Sequence, residues 1–163
     1  MKLARRTTSV AVVLVVLGTA GAAVARPTMG TTGHAKRAKV VRVSTRKVQG
    51  LGQVLVDARG HTLYMFVPDK RRKVTCTGSC AIAWPPLKLP KGGKLVAGGK
   101  AKQKLLGSDR DPAGGRVVTY ARWPLYTYVA DTKPGAATGQ ALNANGGLWY
   151  VISPSGKVLR KKP

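Results

Sequence analysis

Cys76 and Cys80 frame a C-x-x-x-C loop, Cys76-Thr-Gly-Ser-Cys80. Thr77, Gly78 and Ser79 are flexible enough to let the two thiols meet, provided their Cα atoms fall within the ~4.4–6.8 Å a disulfide allows. The alternative chemistry is a soft-metal or redox site, because thiolates select copper or zinc. That reading needs more ligands, and the candidates are few: His61, Met65, His34 and Met29. Asp69 and Asp131 are the other pair with chemical reach. Two carboxylates serve as acid and base only at a set separation, which spacing along a chain does not fix.

Each of these aspartates closes a repeated pattern. Tyr64, Phe66 and Asp69 recur as Tyr126, Tyr128 and Asp131, within Leu63-Tyr-Met-Phe-Val-Pro-Asp69 and Leu125-Tyr-Thr-Tyr-Val-Ala-Asp131. In a strand, aromatics two apart share a face. An aspartate just past a strand end bonds nearby backbone N–H groups and holds a turn. The pattern therefore reads as a packing-and-turn device, with an aromatic platform beside a carboxylate as its functional alternative. Trp84, Trp123 and Trp149 offer sugar-stacking surfaces or, as large aromatics usually do, core filling.

The charge balance is lopsided. There are 29 Lys and Arg against five Asp, with no Glu. Such a field attracts polyanions and opposes self-association. The densest run is Lys70-Arg71-Arg72-Lys73, a candidate polyanion contact, although a charge run is most often a solvated face. Anionic envelope polymers or lipid headgroups are the expected partners. Nucleic acid would be held only through phosphate, and the basic tails carry few aromatics for base stacking. No G-x-S-x-G, P-loop or H-E-x-x-H is present, so no catalytic residue is assigned. No enzyme activity and no cofactor are expected.

The elements that position these residues follow from hydrophobic pattern. Lys2, Arg5 and Arg6, the apolar run Val10–Leu17 and Ala23-Val-Ala25 read as a secretory signal peptide over residues 1–25. Its removal leaves 26 cations against five acids, a net charge of +21. The apolar run is shorter than the ~20 residues a membrane helix needs. Export places the cysteines where disulfides persist, which favours the disulfide. Residues 26–47 read as a disordered basic tail, with Val40, Val41 and Val43 able to begin a strand. Residues 53–57 and 61–67 read as a hairpin, ended by Pro68, which has no N–H to give a ladder. Residues 116–120 and 125–129 repeat that plan, and 148–152 is a last strand. The linker 88–115 reads as loop with one helical turn near Lys100–Leu106, and 159–163 as a basic C-terminal tail. The fold class is all-β, with two pseudo-repeated hairpin or meander units, about 50–87 and 116–156, sharing one core. Each copy precedes a Thr-Gly pair, Thr77-Gly78 and Thr138-Gly139, and a tryptophan.

These segments resemble a bacterial family of secreted repeat proteins, predicted lipoproteins among them, marked by a Tyr-x-aromatic-x-x-Asp motif. Tyr64, Phe66, Asp69, Tyr126, Tyr128 and Asp131 carry the likeness. So do Cys76–Cys80 running into Ala81–Pro86, and Val118–Tyr120 running into Pro124–Tyr126. The likeness spans about residues 50–156 and implies an exported, envelope-associated protein with no settled activity. The chain departs from lipoprotein members in having no acceptor cysteine near residue 25, so it is not expected to be lipid-anchored. The reading is of a non-enzymatic β module drawn to anionic envelope material. The alternatives are a metal or redox carrier built on Cys76 and Cys80, and a carbohydrate-binding module.

Overall fold

In a computed structural model of the chain, the structure describes residues 39–162 except Arg71. The expected signal segment, His34 and Met29 lie outside the described residues. Ten short strands dominate: β1 (Val40–Val48), β2 (Gly52–Val56), β3 (Tyr64–Phe66), β4 (Lys88–Leu89), β5 (Lys94–Ala97), β6 (Leu106–Arg110), β7 (Arg116–Tyr120), β8 (Trp123–Pro124), β9 (Asn143–Ala144) and β10 (Gly147–Val151). One short helix, α1, spans Ser79–Ala83. The strands form sheets ordered β2-β1-β5, β3-β10-β9 and β4-β7-β6, with β8 also on β7. All pairs are antiparallel except β1 with β5. The architecture is all-β and two-fold repetitive.

The repeat is visible bond by bond. Leu55 N–H donates to Ile152 O at 3.1 Å, as Val118 N–H donates to Leu87 O at 2.8 Å. Leu63 N–H reaches Leu55 O at 2.9 Å, as Leu125 N–H reaches Val118 O at 3.0 Å. On the pseudo-two-fold axis Tyr64 and Tyr126 exchange both backbone bonds, at 2.8 and 3.0 Å. The closing strands are swapped: β4, from the first copy, lies on β7 of the second, and β10, from the second, lies on β3 of the first. The sheets that hold β3 and β7 are thus each completed by a strand from the other repeat.

Alternation sorts the interior into two clusters, each fed by both repeats. Tyr64, Phe66, Tyr126, Trp84 and Trp149 enter one. Leu63, Met65, Val118, Leu125 and Ile152 enter the other. This is the period-2 consequence of a strand buried on both faces.

Several boundaries differ from the sequence reading. The stretch expected to be tail through residue 47 gives residues 40–47 to β1, where Val43 is fully buried. Its cations, Arg42, Arg46 and Lys47, are all exposed, so a polar composition concealed a partly buried strand. The linker 88–115 holds β4, β5 and β6 rather than loop; its helical turn is a 3-10 turn at Gln103–Leu105. The hairpin 53–57/61–67 keeps its turn, through the Val56–Thr62 bridge, but its second arm leaves to pair with β10. The return strand expected at 125–129 is reduced to the bridges of Tyr126 to Tyr64 and Pro86, and β8 forms just before it, at Trp123–Pro124. The expected C-terminal tail is tied down, since Gln140 Nε2 donates to Leu159 O at 2.6 Å and to Lys161 O at 2.8 Å.

Candidate functional site

The six motif residues converge across the axis. Tyr64 Oη donates to Asp131 Oδ2 at 2.5 Å, and Tyr126 Oη donates to Asp69 Oδ2 at 2.6 Å. Each tyrosine thus bonds the aspartate of the other repeat. The remaining carboxylate oxygens are filled locally. Asp69 Oδ1 accepts from Thr75 N–H and Oγ1–H, both at 2.7 Å. Asp131 Oδ1 accepts from Thr138 N–H at 2.9 Å and Oγ1–H at 2.6 Å. The structural counterpart of Thr138 is therefore Thr75, two residues before Thr77, where the Thr-Gly alignment places it.

Four rings stack around the same axis. Phe66 lies on Trp149 at 4.2 Å, Trp149 on Trp84 at 3.8 Å with only 2° between planes, and Trp84 on Tyr128 at 4.0 Å. Tyr64 meets Trp84 edge-on at 5.4 Å, and Tyr126 meets Trp149 edge-on at 5.3 Å. Offset stacks and edge contacts are the arrangements ring quadrupoles favour.

This centre is closed. Tyr64, Asp69, Tyr126 and Trp149 have no solvent exposure, and Asp131 has 4%. Burial pushes the Asp69 carboxyl above its usual value, against the Tyr126 and Thr75 bonds that pull it down. Burial, with the facing aspartate adding to it, drives the Tyr64 and Tyr126 phenols far above theirs. Both tyrosines stay donors, and each carboxylate is fully committed. The arrangement holds two halves together and presents no open platform. Trp84 and Trp149 are within the stack, and Trp123 is half-buried.

Cys76 and Cys80 are joined by a disulfide, with Cα atoms 5.2 Å apart. The other suggested metal ligands stand elsewhere. His61 sits at the hairpin turn with Nδ1 3.5 Å from Asp57 Oδ2. Met65 belongs to the other apolar cluster from the cysteines. Among the described residues no group of three or more His, Cys, Asp or Glu is gathered. Lys70, Arg72 and Lys73 are exposed, and Arg71 lies outside the described residues. Lys70 follows directly on the 3-10 turn Val67–Asp69.

The family model for "Secreted repeat of unknown function" matches residues 45–88 and 108–153, and the chain belongs to that family. The two matched segments fall in the two halves related by the pseudo-axis; the second includes β10, and the first ends at Lys88, where β4 begins. The family is described as secreted, and among the described residues no helix is long and apolar enough to cross a membrane. No curated protein and no solved structure is significantly similar to the chain.

Proposed function

We propose that this is a non-enzymatic module of the cell envelope or its exterior. It is exported by a cleaved signal over residues 1–25, is not lipid-anchored, and is held by its surface charge to anionic envelope components. One observation carries the reading. Every described Lys and Arg is exposed, and no carboxylate is. Asp69, Asp111 and Asp131 are buried, while Asp57 and Asp109 are half-buried. Asp57 Oδ1 is occupied by the Arg59 and His61 N–H groups at 2.8 and 2.9 Å, and Asp111 is paired to Lys88. Folding withdraws the acids and leaves the cations outside, so the surface is more one-signed than the composition. A field of this kind raises the local concentration of polyanions and weakens as salt screens it, with a Debye length of about 10 Å at 0.1 M.

The test is retention of the purified exported chain on anionic cell-wall polymer and on anionic vesicles, as salt is raised. Retention at low salt that falls steadily with added salt is expected. Retention indifferent to salt, or equal on neutral vesicles, would overturn the electrostatic mechanism.

A further inference from the structure

The duplication that repeats the buried motif also repeats a groove on the surface. In the first half the groove lies between β1 and the turn after β2, with a volume of about 480 Å³. In the second half it lies between β6 and the turn after β7, at about 540 Å³. The strand registers make the two equivalent, since Ser44 pairs with Val56 as Gly107 pairs with Thr119. At the same offset, Thr45 corresponds to Ser108 and the turn Ala58-Arg59 to Ala121-Arg122. All of these residues line their grooves.

Each groove gathers three cations, and the supporting two come from unrelated positions. Arg59 is joined by Arg42 and Arg46, and Arg122 by Lys104 and Arg72. One half-buried carboxylate stands in each, Asp57 and Asp109. Among the described residues none of the six cations has an ion-pair partner.

Two of the cations are held in place by backbone. Arg46 lies across Gly60 and Gly135: a β-carbon at Gly135 would come within 2.8 Å of its Cδ, and one at Gly60 within 3.3 Å of its Nη2. In the second groove, Ala121 and Arg122 both take left-handed φ, 47° and 72°, in a two-residue hairpin turn that Asn-Gly would fill without strain. That conformation costs about 1–2 kcal/mol per ordinary residue. Backbone strain of this kind gathers at functional sites. The Arg122 carbonyl also accepts the Arg72 N–H at 2.9 Å, which keeps the two arginines side by side.

An arginine fork with a second cation and a hydroxyl is matched to a phosphate oxyanion. We infer that each groove takes one phosphate group of a phosphodiester-linked polyol polymer, so that one chain binds two. This rests on the polyanion reading above and locates it. A polymer is favoured over a bilayer because the exposed large apolar side chains, Val40, Ile82 and Val129, line neither groove, leaving them without an insertion residue.

Calorimetry of the exported chain with a short glycerol-phosphate oligomer at low salt tests the assignment. Two equivalents per chain are expected. Arg59→Ala and Arg122→Ala should each weaken one equivalent by about tenfold, the loss of one charge-assisted bond. Lys91→Ala and Lys161→Ala remove the same charge outside both grooves and should leave two equivalents with little change in affinity. If all four variants behave alike while binding stays salt-sensitive, the groove assignment fails and the general charge reading survives. Binding to phosphatidylglycerol vesicles without binding to the oligomer would overturn the polymer. No binding to either would overturn both readings.

Discussion

Tyr64 of the first repeat hydrogen-bonds Asp131 of the second at 2.5 Å, across a gap of 67 residues in sequence. With its counterpart between Tyr126 and Asp69 and the exchanged closing strands, it makes the halves interdependent. Tyr64→Phe leaves a buried carboxylate oxygen without its donor, which costs about 1–3 kcal/mol. It also orphans the Gly139 N–H, which donates to Tyr64 Oη at 3.3 Å. Tyr126→Phe removes the Asp69 bond without such a second loss. Denaturant unfolding should show both variants destabilised, Tyr64→Phe more so, each with one cooperative transition. Two separate transitions would contradict the interdependence.

Titration should expose the same centre. The Tyr64, Tyr120 and Tyr126 phenols are all raised above the ordinary 10.0, chiefly by burial. The unfolded chain therefore releases these protons before the folded one. Their contribution to stability is complete below pH 10 and is lost as pH climbs above it. Ultraviolet titration should find these phenols silent until the chain unfolds. Asp69 is raised above 3.8, again by burial first. Its contribution is complete below 3.8 and is lost as pH rises through the folded value, because the ionised acid is buried. Replacing it by Asp69→Asn should flatten that part of the stability profile, measured from below 3.8 to neutrality. An unchanged slope would refute the assignment.

The aromatic-and-aspartate pattern was legible because strand alternation and turn chemistry leave a local imprint that recurs. Which aspartate each tyrosine bonds was not, since crossing the axis is a property of topology. β1 was obscured by its exposed cations, and β4 to β6 by interspersed Lys and Gly. Thr75 was missed because the loop from Asp69 to its threonine is one residue shorter than the loop from Asp131 to Thr138, so the motif's own offset lands on Cys76 and the Thr-Gly pair points to Thr77. The grooves left only an Ala-Arg dipeptide in each copy, too short a signal until strand register placed both dipeptides in equivalent turns.

Gly139 tests the tightness of the ring stack. A β-carbon there would stand 2.6 Å from Trp84 Cη2 and 3.1 Å from Tyr64 Cζ. Trp84 cannot withdraw, because Trp149 and Tyr128 cover its two faces. Overpacking of this kind costs about 1–3 kcal/mol. Gly139→Ala should therefore lower stability and alter the near-ultraviolet circular dichroism of the tryptophans. Gly114→Ala is the control: its φ of 104° strains the backbone, yet nothing lies within 4 Å. It should leave the tryptophan signal unchanged. An unchanged signal in Gly139→Ala would mean the stack is looser than its geometry.

The disulfide fastens one half where the other half uses a side chain. Cys76 follows Thr75, which holds Asp69, and Cys80 O accepts the Trp84 N–H at 2.8 Å. One link thus fixes both the turn and the tryptophan of the first repeat. In the second repeat Gln140 Oε1 accepts the Val151 N–H at 2.8 Å, while its amide holds the C-terminal segment. A loop this short constrains the unfolded chain weakly, so removing the link by Cys76→Ala with Cys80→Ala should cost about 2 kcal/mol. The far-ultraviolet spectrum should persist, because the swapped strands and the ring stack remain. Gln140→Ala strands the buried Val151 N–H and should cost about 1–3 kcal/mol. Thermal melts of the two variants, alone and combined, should show additive losses within about 0.5 kcal/mol if the two fastenings act on separate halves. A combined loss well beyond the sum would show that each compensates for the other through the shared stack.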